Sequence, residues 1–361
     1  MANKETVNIK FAEIPQLIVQ SIPERKEYKT STYVNYGLRN DYPSFLWDAY
    51  SKCPTLQTVV NGFADYVVGD GVSSSVLSQP NPVSSWDDLY THLAADYVLY
   101  GECFIQVIRN KKGNVSELYW LDALYVRSDE DNETFYYNED FGKSYVKASK
   151  TVIFPKFKAE FEQPSSVVCI KTPLGKGTYS LPLWHSALKA VMTEIAIDDF
   201  HLNEIENNFL GSAVINFNAG VPSEEEQDEL EKKVAKKFSG HQNAGRFLLS
   251  FNNGVTNKTT IDRLATDDFD KRYESLASKT QRQIFTAFGV SPVVFGVEKE
   301  NTGFNDEDYQ QAFKLFNRTK IKPIQGRLND AFDKVFEQKG SMTVKPFTIN
   351  FDNNSNETTV N

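Results

Sequence analysis

An α+β fold is predicted by three observations along this chain. Apolar residues recur with helical period over 42–100, 183–210 and 269–338. The period changes to two over 103–172, where short β-prone runs alternate with turn residues. A small β-α-β pattern at 211–264 lies between two long helical patterns. The segregation of helices and strands into separate stretches is the α+β signature.

Taken in order, residues 1 to about 40 read as irregular and polar, with Pro15 and Pro23 breaking any long element. Tyr42 and Pro43 open a helix in which Phe45, Leu46, Ala49 and Tyr50 share a side. A second helix covers 55–68, with Leu56, Val59, Val60, Phe63 and Val67 on one face. It stops at Gly69-Asp70-Gly71, where glycine reaches positive φ. Ser84 or Ser85 caps a third helix running to about Tyr100, with Trp86, Leu89, Leu93 and Tyr97 inward. A hairpin follows, 104–109 and 115–121, around a turn containing Gly113. Further short strands are expected at 126–127, 134–138, 144–148, 151–154 and 167–171.

The helix at 183–210 carries Leu188, Val191, Ile195, Leu202, Ile205 and Phe209 as an apolar stripe, and its polar positions are rich in acid. After a strand at 214–217, Ser223 to Glu226 reads as a capping box: hydroxyl to amide in one direction, carboxylate to amide in the other. Glu224, Glu225 and Glu226 suit the positive end of that helix, and Lys232, Lys233, Lys236 and Lys237 the negative end. A strand at 246–251 completes the unit. A helix at 269–288 ends at Gly289, and a last helix runs from Asn305 to about Gln338 with a kink at Pro323, which lacks an amide proton. Residues 353–361 read as a polar tail.

The whole-chain balance narrows the function classes. The chain has 361 residues, 40% of them hydrophobic and 24% charged, which are ordinary globular values. It carries 26 Phe and 17 Tyr, large side chains suited to cores and subunit contacts. No run approaches the ~20 apolar residues that span a bilayer, and the first sixteen residues do not read as a signal peptide. The net charge of −9 argues against a static DNA binder, whose affinity comes from neutralising phosphates. It is compatible with a conduit through which DNA slides. Cys53, Cys103 and Cys169 are odd in number and far apart, so they read as small buried hydrophobes rather than ligands or a disulfide framework.

Several motifs invite chemistry. Gly175-Lys176-Gly177-Thr178 looks like a phosphate loop, but it lacks the GxxxxGK[ST] spacing and reads as a turn. Asp198, His201 and Glu204 lie three apart on one helix; a solvated or ion-paired face explains them better than a metal site. No catalytic constellation and no cofactor motif stands out. On the 269–288 helix, Lys271, Arg272, Lys279 and Arg282 fall within about a 100° arc. Three readings of that stripe stay open: it faces DNA, it pairs with the acidic 183–210 helix of the same or a neighbouring subunit, or it is a solvated face. Glu298-Lys299-Glu300-Asn301, between Gly296 and Gly303, is a loop joining two helices.

The order of these pieces resembles one family. Tyr100-Gly101-Glu102-Cys103-Phe104, the 173–188 segment, Phe209 to Ala213, His241 to Arg246 and the Phe288-Gly289-Val290-Ser291-Pro292 turn follow one another in family order. The 293–296 step, the loop to Asn305, the aromatic 309–316 segment and Pro323 complete the series. Together they are similar to the portal proteins of tailed bacteriophages and prophages. The resemblance implies a mixed α/β wing at 1–182, stem helices at 183–210 and 265–292, and a β-α-β clip at 211–264. It further implies a tunnel loop at 293–304 and a kinked helix returning to the wing at 305–340; members of that family often carry a helical crown after this helix, and the short segment 341–361 departs from that pattern, so little or no crown is expected.

What the family does is then expected here: a ring of about twelve copies at the capsid vertex of a virion, assembled in the bacterial cytoplasm, through which double-stranded DNA is packaged and ejected. The resemblance implies the large terminase, a head-completion adaptor and the major capsid protein as partners, with the ATPase belonging to the terminase. The tunnel loop would place Glu298, Lys299, Glu300 and Asn301 in the channel, and the clip lysines would dock partners. The alternatives are a DNA-binding or DNA-processing enzyme using the 271–282 stripe, or a ring scaffold that carries no DNA.

Overall fold

The computed structural model describes residues 8–11, 25–30, 32–143, 146–160, 162–173, 175, 177–206, 213–217, 223, 225–226, 228–229, 247–251, 260–263, 269–297 and 306–348. Of 8–11, 203–206, 213–217, 247–251, 260–263, 269–273 and 306 it describes the backbone alone.

In chain order, β1 (Asn8–Phe11) precedes a short hairpin of β2 (Glu27–Lys29) and β3 (Val34–Tyr36). Helix α1 (Tyr42–Lys52) starts with Pro43 in its first turn, where a missing amide proton costs nothing. Cys53 then breaks the helix and caps α2 (Pro54–Val68), its thiol accepting from the Leu56 amide. Gly69 ends α2 at φ 64°. After β4 (Val72–Ser74), Ser85 and Asp88 form a reciprocal capping box at the start of α3 (Trp86–Tyr100). Gly101, at φ 85°, turns the chain directly into the sheet.

That sheet is antiparallel and three-stranded: β5 (Glu102–Arg109) at its centre, β6 (Val115–Leu121) on one side and β10 (Ser165–Lys171) on the other. A second three-stranded sheet is formed by β7 (Val126–Ser128), β8 (Thr134–Tyr137) and β9 (Val152–Pro155). The strand expected at 144–148 is not there among the described residues; Ala148–Lys150 is a 3-10 turn.

Helix α4 spans Leu188–Glu206 and is entered through a 3-10 turn at His185–Ala187. Strands β11 (Ala213–Phe217), β12 (Phe247–Phe251) and β13 (Thr260–Arg263) precede α5 (Phe269–Phe288). The capping box expected at Ser223 is present, with the Ser223 amide donating to Glu226 over 3.1 Å and the Glu226 amide to the Ser223 hydroxyl over 3.4 Å. A 3-10 turn (Pro292–Phe295) leads toward α6 (Asp306–Phe316), a π turn (Asn317–Ile321), α7 (Lys322–Phe336) and β14 (Met342–Val344).

Two compact units divide the chain. One comprises Met1–Ser21 with Met192–Lys279, the other Ile22–Val191 with Thr280–Asn361. The first holds a four-stranded sheet of order β1-β12-β11-β13. Its central pair, β11 and β12, is parallel, as a β-α-β connection requires; β1 and β13 pair antiparallel at the two edges. The sequence reading treats the first forty residues as irregular, yet Asn8–Phe11 is a strand registered against Phe251–Leu248. Edge strands of four residues take their identity from a partner far away in sequence, so no local pattern announces them.

The second unit is built on α2 and α3, which pack together, with α3 against β5. Leu56, Val59, Val60 and Phe63 of α2 are buried, as are Leu89, Leu93 and Tyr97 of α3. From α7, Leu328 and Phe332 are fully covered, and the Phe332 ring stacks on Tyr90 at 5.2 Å with 13° between planes. Burying a side chain of that size removes it from water at roughly 2–3 kcal/mol. Near the C-terminal end, β14 pairs with β4, closing a connection of some 270 residues between Ser74 and Met342. On α4 the expected apolar stripe holds for Leu188, Val191 and Ile195 but not for Leu202, which is 56% exposed.

The last helical stretch differs from a single kinked helix. Pro323 sits in the first turn of α7, and the break precedes it: the Lys322 amide donates to the Asn317 carbonyl, five residues back. Proline withholds a donor from the carbonyl four residues before it and crowds that turn. Widening the turn by one residue relieves both problems.

Candidate functional site: a loop base held by an aromatic hub

Helix α5 ends in a local stop written by Gly289. At φ 66° its amide donates to Thr286 over 2.9 Å, and the Val290 amide reaches Phe285 over 3.1 Å. These two bonds satisfy carbonyls that the last helical turn leaves open. Pro292 then fixes the following turn, and Gly296, at φ 74°, ends it. Val293 and Val294 are buried, so the turn is seated on the core.

Tyr66 of α2 holds this turn and α6 together. Its hydroxyl donates to the Val294 carbonyl over 2.8 Å and meets the Tyr309 hydroxyl at 3.1 Å. Its ring lies 5.6 Å from Phe313, 5.3 Å from Phe316 and 4.9 Å from Phe347. Burial and the Tyr309 hydrogen bond push the Tyr66 hydroxyl well above the ordinary phenol value, so it stays a neutral donor. Beside it, Phe295 packs among Phe63, Phe285 and Phe316 at 6.2, 5.8 and 5.5 Å. Gly62 makes room for that ring: a Cβ there would fall 2.6 Å from Phe295 Cε1. Tilted and edge-on pairs of this kind each add about 0.5–1.5 kcal/mol beyond the area they bury. Both ends of the 298–305 connection thus spring from one rigid cluster.

The predicted site residues fall unevenly on this frame. Glu298, Lys299, Glu300 and Asn301 lie outside the described residues, as do Lys232, Lys233, Lys236 and Lys237. Lys271 and Arg272 belong to the backbone of α5, their side chains outside the description; Lys279 and Arg282 are exposed on the same helix.

The motif at Gly175 to Thr178 has a clear structural meaning. The Thr178 and Tyr179 amides donate to the Glu27 carboxylate over 2.7 and 3.1 Å. The anion in this loop is the chain's own side chain, and Gly177 is open enough to let it in; a Cβ there would meet Glu27 Oε1 at 2.6 Å. Burial raises the thiols of Cys103 and Cys169, which stay protonated and unreactive.

Sequence reasoning missed two groups. Arg127 is fully buried, its guanidinium donating to Leu124 and Val126 carbonyls over 2.9 and 2.7 Å and to both oxygens of Asn40, while stacking over Phe141 at 5.0 Å. Asp96 is buried too, accepting from Trp120 Nε1 over 2.7 Å and the Ala123 amide over 3.1 Å. A charge inside an apolar helix stripe is the one signal that could have flagged Asp96. Nothing local flags Arg127, because Asn40, which takes two of its hydrogen bonds, lies 87 residues away.

With this geometry in place, the likenesses to known proteins are informative. The family model described as phage portal protein matches residues 44–359. An uncharacterized protein of Rickettsia felis is 23% identical over 292 residues, covering 78% of this chain and 68% of that protein. Among solved structures, a chain in the virion of a native gene transfer agent particle superposes with a TM-score of 0.58 at 18% identity, over 84% of this chain and 83% of that one. A chain in the neck of the native particle, computed with C12 symmetry, gives 0.58 at 17% identity, over 93% and 89%. The structural likenesses establish a shared fold.

Proposed function

This chain belongs to the phage portal protein family, and from that premise we propose that its copies form the ring at the unique vertex of a phage or prophage capsid. The ring is a passage for double-stranded DNA during packaging and ejection. It is also the docking platform for the large terminase and, after packaging, for a head-completion adaptor; the major capsid protein surrounds its outer part. The work of translocation is the terminase's, and this chain is a structural, non-enzymatic part. Ring assembly takes place in the bacterial cytoplasm, and the mature location is the virion.

One observation carries this reading furthest. The turn at 292–297 and helix α6 are locked to each other by Tyr66 and Phe295, so the 298–305 connection has a stiff base at both ends. A loop that meets moving DNA needs such a base, because a mobile anchor would spread the load into the core. Strands β11, β12 and β13 belong to the proposed clip at 211–264, α4 and α5 to the proposed stem at 183–210 and 265–292, and residues 1–182 with part of the last helix to the proposed wing. The twelve-fold symmetry used for the similar neck particle supports a count of twelve.

Electron microscopy of the purified protein tests the proposal. Annular particles with an open channel, about twelve-fold symmetric, are expected. Compact monomers, or nuclease or ATPase activity in the purified chain, would overturn it.

A further inference from the structure

Between Tyr309 and Asn329 the chain carries five cations, Lys314, Arg318, Lys320, Lys322 and Arg327, and no acid, although its net charge is −9. Two of the five are set apart from the rest. The Arg327 guanidinium donates to the Tyr97 hydroxyl over 3.0 Å. Lys320 is half-buried, with its ammonium 2.8 Å from where a Cβ of Gly289 would sit, beside the carbonyl end of α5 that favours a positive charge. Lys314, Arg318 and Lys322 remain exposed, and among the described residues none of the three forms an ion pair.

The π turn puts these three in line. In an unbroken α-helix, eight residues would rotate Lys322 about 80° away from Lys314. A turn closed five residues back holds about one residue more, which cuts that offset to about 20°. The exposed run along α6, the π turn and α7 follows this geometry, while Phe316, Ile321, Ile324 and Leu328 point into the core. With one residue absorbed in the widened turn, Lys314 to Lys322 spans about 10 Å at ~1.5 Å per residue. Phosphates of one DNA strand recur every ~3.4 Å of helix axis, so the row covers about three of them.

Building on the portal reading, we propose that Lys314, Arg318 and Lys322 form a track for the sugar-phosphate backbone of double-stranded DNA, aligned by the π turn. The ligand is the phosphate backbone irrespective of sequence, since an exposed row of cations offers no base-reading geometry. Three cations per subunit give a shallow, repeated attraction around a ring, which suits a duplex that must keep moving.

The test uses purified rings and a short fluorescent duplex, with anisotropy read over a series of salt concentrations. Wild type should bind with a steep salt dependence. The triple variant Lys314→Gln, Arg318→Gln, Lys322→Gln should bind at least tenfold more weakly. Its slope of log affinity against log salt should be shallower by nearly three for each subunit in contact, from ~0.9 per phosphate lost. The charge-preserving variant Lys314→Arg, Arg318→Lys, Lys322→Arg should bind like wild type. A wild type that does not bind, a triple variant with unchanged affinity and slope, or one whose rings fall apart would overturn the track; the last outcome would make this face a contact between subunits. Rings with open channels in wild type alongside unchanged DNA binding in the variant would remove this inference and leave the portal reading standing.

Discussion

Tyr66 and Val294, 228 residues apart, are joined by a 2.8 Å hydrogen bond from the phenol to the carbonyl. One end of that bond is on a core helix and the other on the turn that precedes the 298–305 connection. The mobility of the turn is therefore tied to the stability of α2.

Gly62 sets how closely α2 approaches that turn. In an ordinary helix interior, Gly→Ala stabilises by up to ~1 kcal/mol. Here the added methyl would lie 2.6 Å from a ring wedged among Phe63, Phe285 and Phe316. Overpacking of this kind costs about 1–3 kcal/mol. Gly62→Ala should lower stability by about 1–2 kcal/mol net, seen as a lower denaturant midpoint with an unchanged slope. A midpoint at or above wild type would count against this packing.

Glu27 occupies the amides of Thr178 and Tyr179. Removing its carboxylate leaves two inward-facing donors without their acceptor, at a cost of about 1–3 kcal/mol. Glu27→Ala should melt lower than wild type, and Glu27→Gln, which keeps one acceptor oxygen, should fall between them. Equal melting of all three would show that the amides have no need of this acceptor.

Asp96 makes stability fall with pH. Burial, with the neighbouring Asp122 adding to it, raises its pKa well above the ordinary carboxylate value. A raised folded-state value means the native chain binds this proton more tightly than the unfolded chain does. The stabilisation is therefore complete below the ordinary value near ~4 and is lost as pH rises toward the raised one. Asp96→Asn keeps an acceptor for Trp120 Nε1 without the charge, so its unfolding free energy should change less over that window. Parallel pH profiles for the two proteins would refute the assignment.

Deleting Glu298 to Asn301 should leave rings assembled but impair DNA packaging, or let packaged DNA leak. The intervening acids disfavour lasting phosphate contact while Lys299 offers a brief one. Normal packaging and retention by the deletion variant would remove the loop from the DNA path.

Charge reversal at Lys232, Lys233, Lys236 and Lys237 should weaken terminase or adaptor capture in a pull-down while rings persist in micrographs. Undiminished capture would move the docking surface elsewhere.

What could be read from the sequence was local. Gly69 and Gly289 end helices where the sequence says they should, and Ser85 and Ser223 form caps where it expects them, because a stop or a cap needs only its own few residues. The boundaries of α5 and the hairpin of β5 and β6 were legible for the same reason: periodicity and turn residues are contiguous. Tertiary structure alone decided the rest. The pairing of β1 with β12 and of β14 with β4 depends on which free edges meet. The burial of Arg127 depends on Asn40 arriving to receive it. The sequence located a break near Pro323, but that the break is a π turn closed from Lys322 back to Asn317, with Phe316, Ile321 and Ile324 buried around it, is visible only in the folded chain. A segment carries its own hydrogen-bonding preferences, whereas the partner that satisfies a sheet edge or a buried charge is set only when distant segments are brought together.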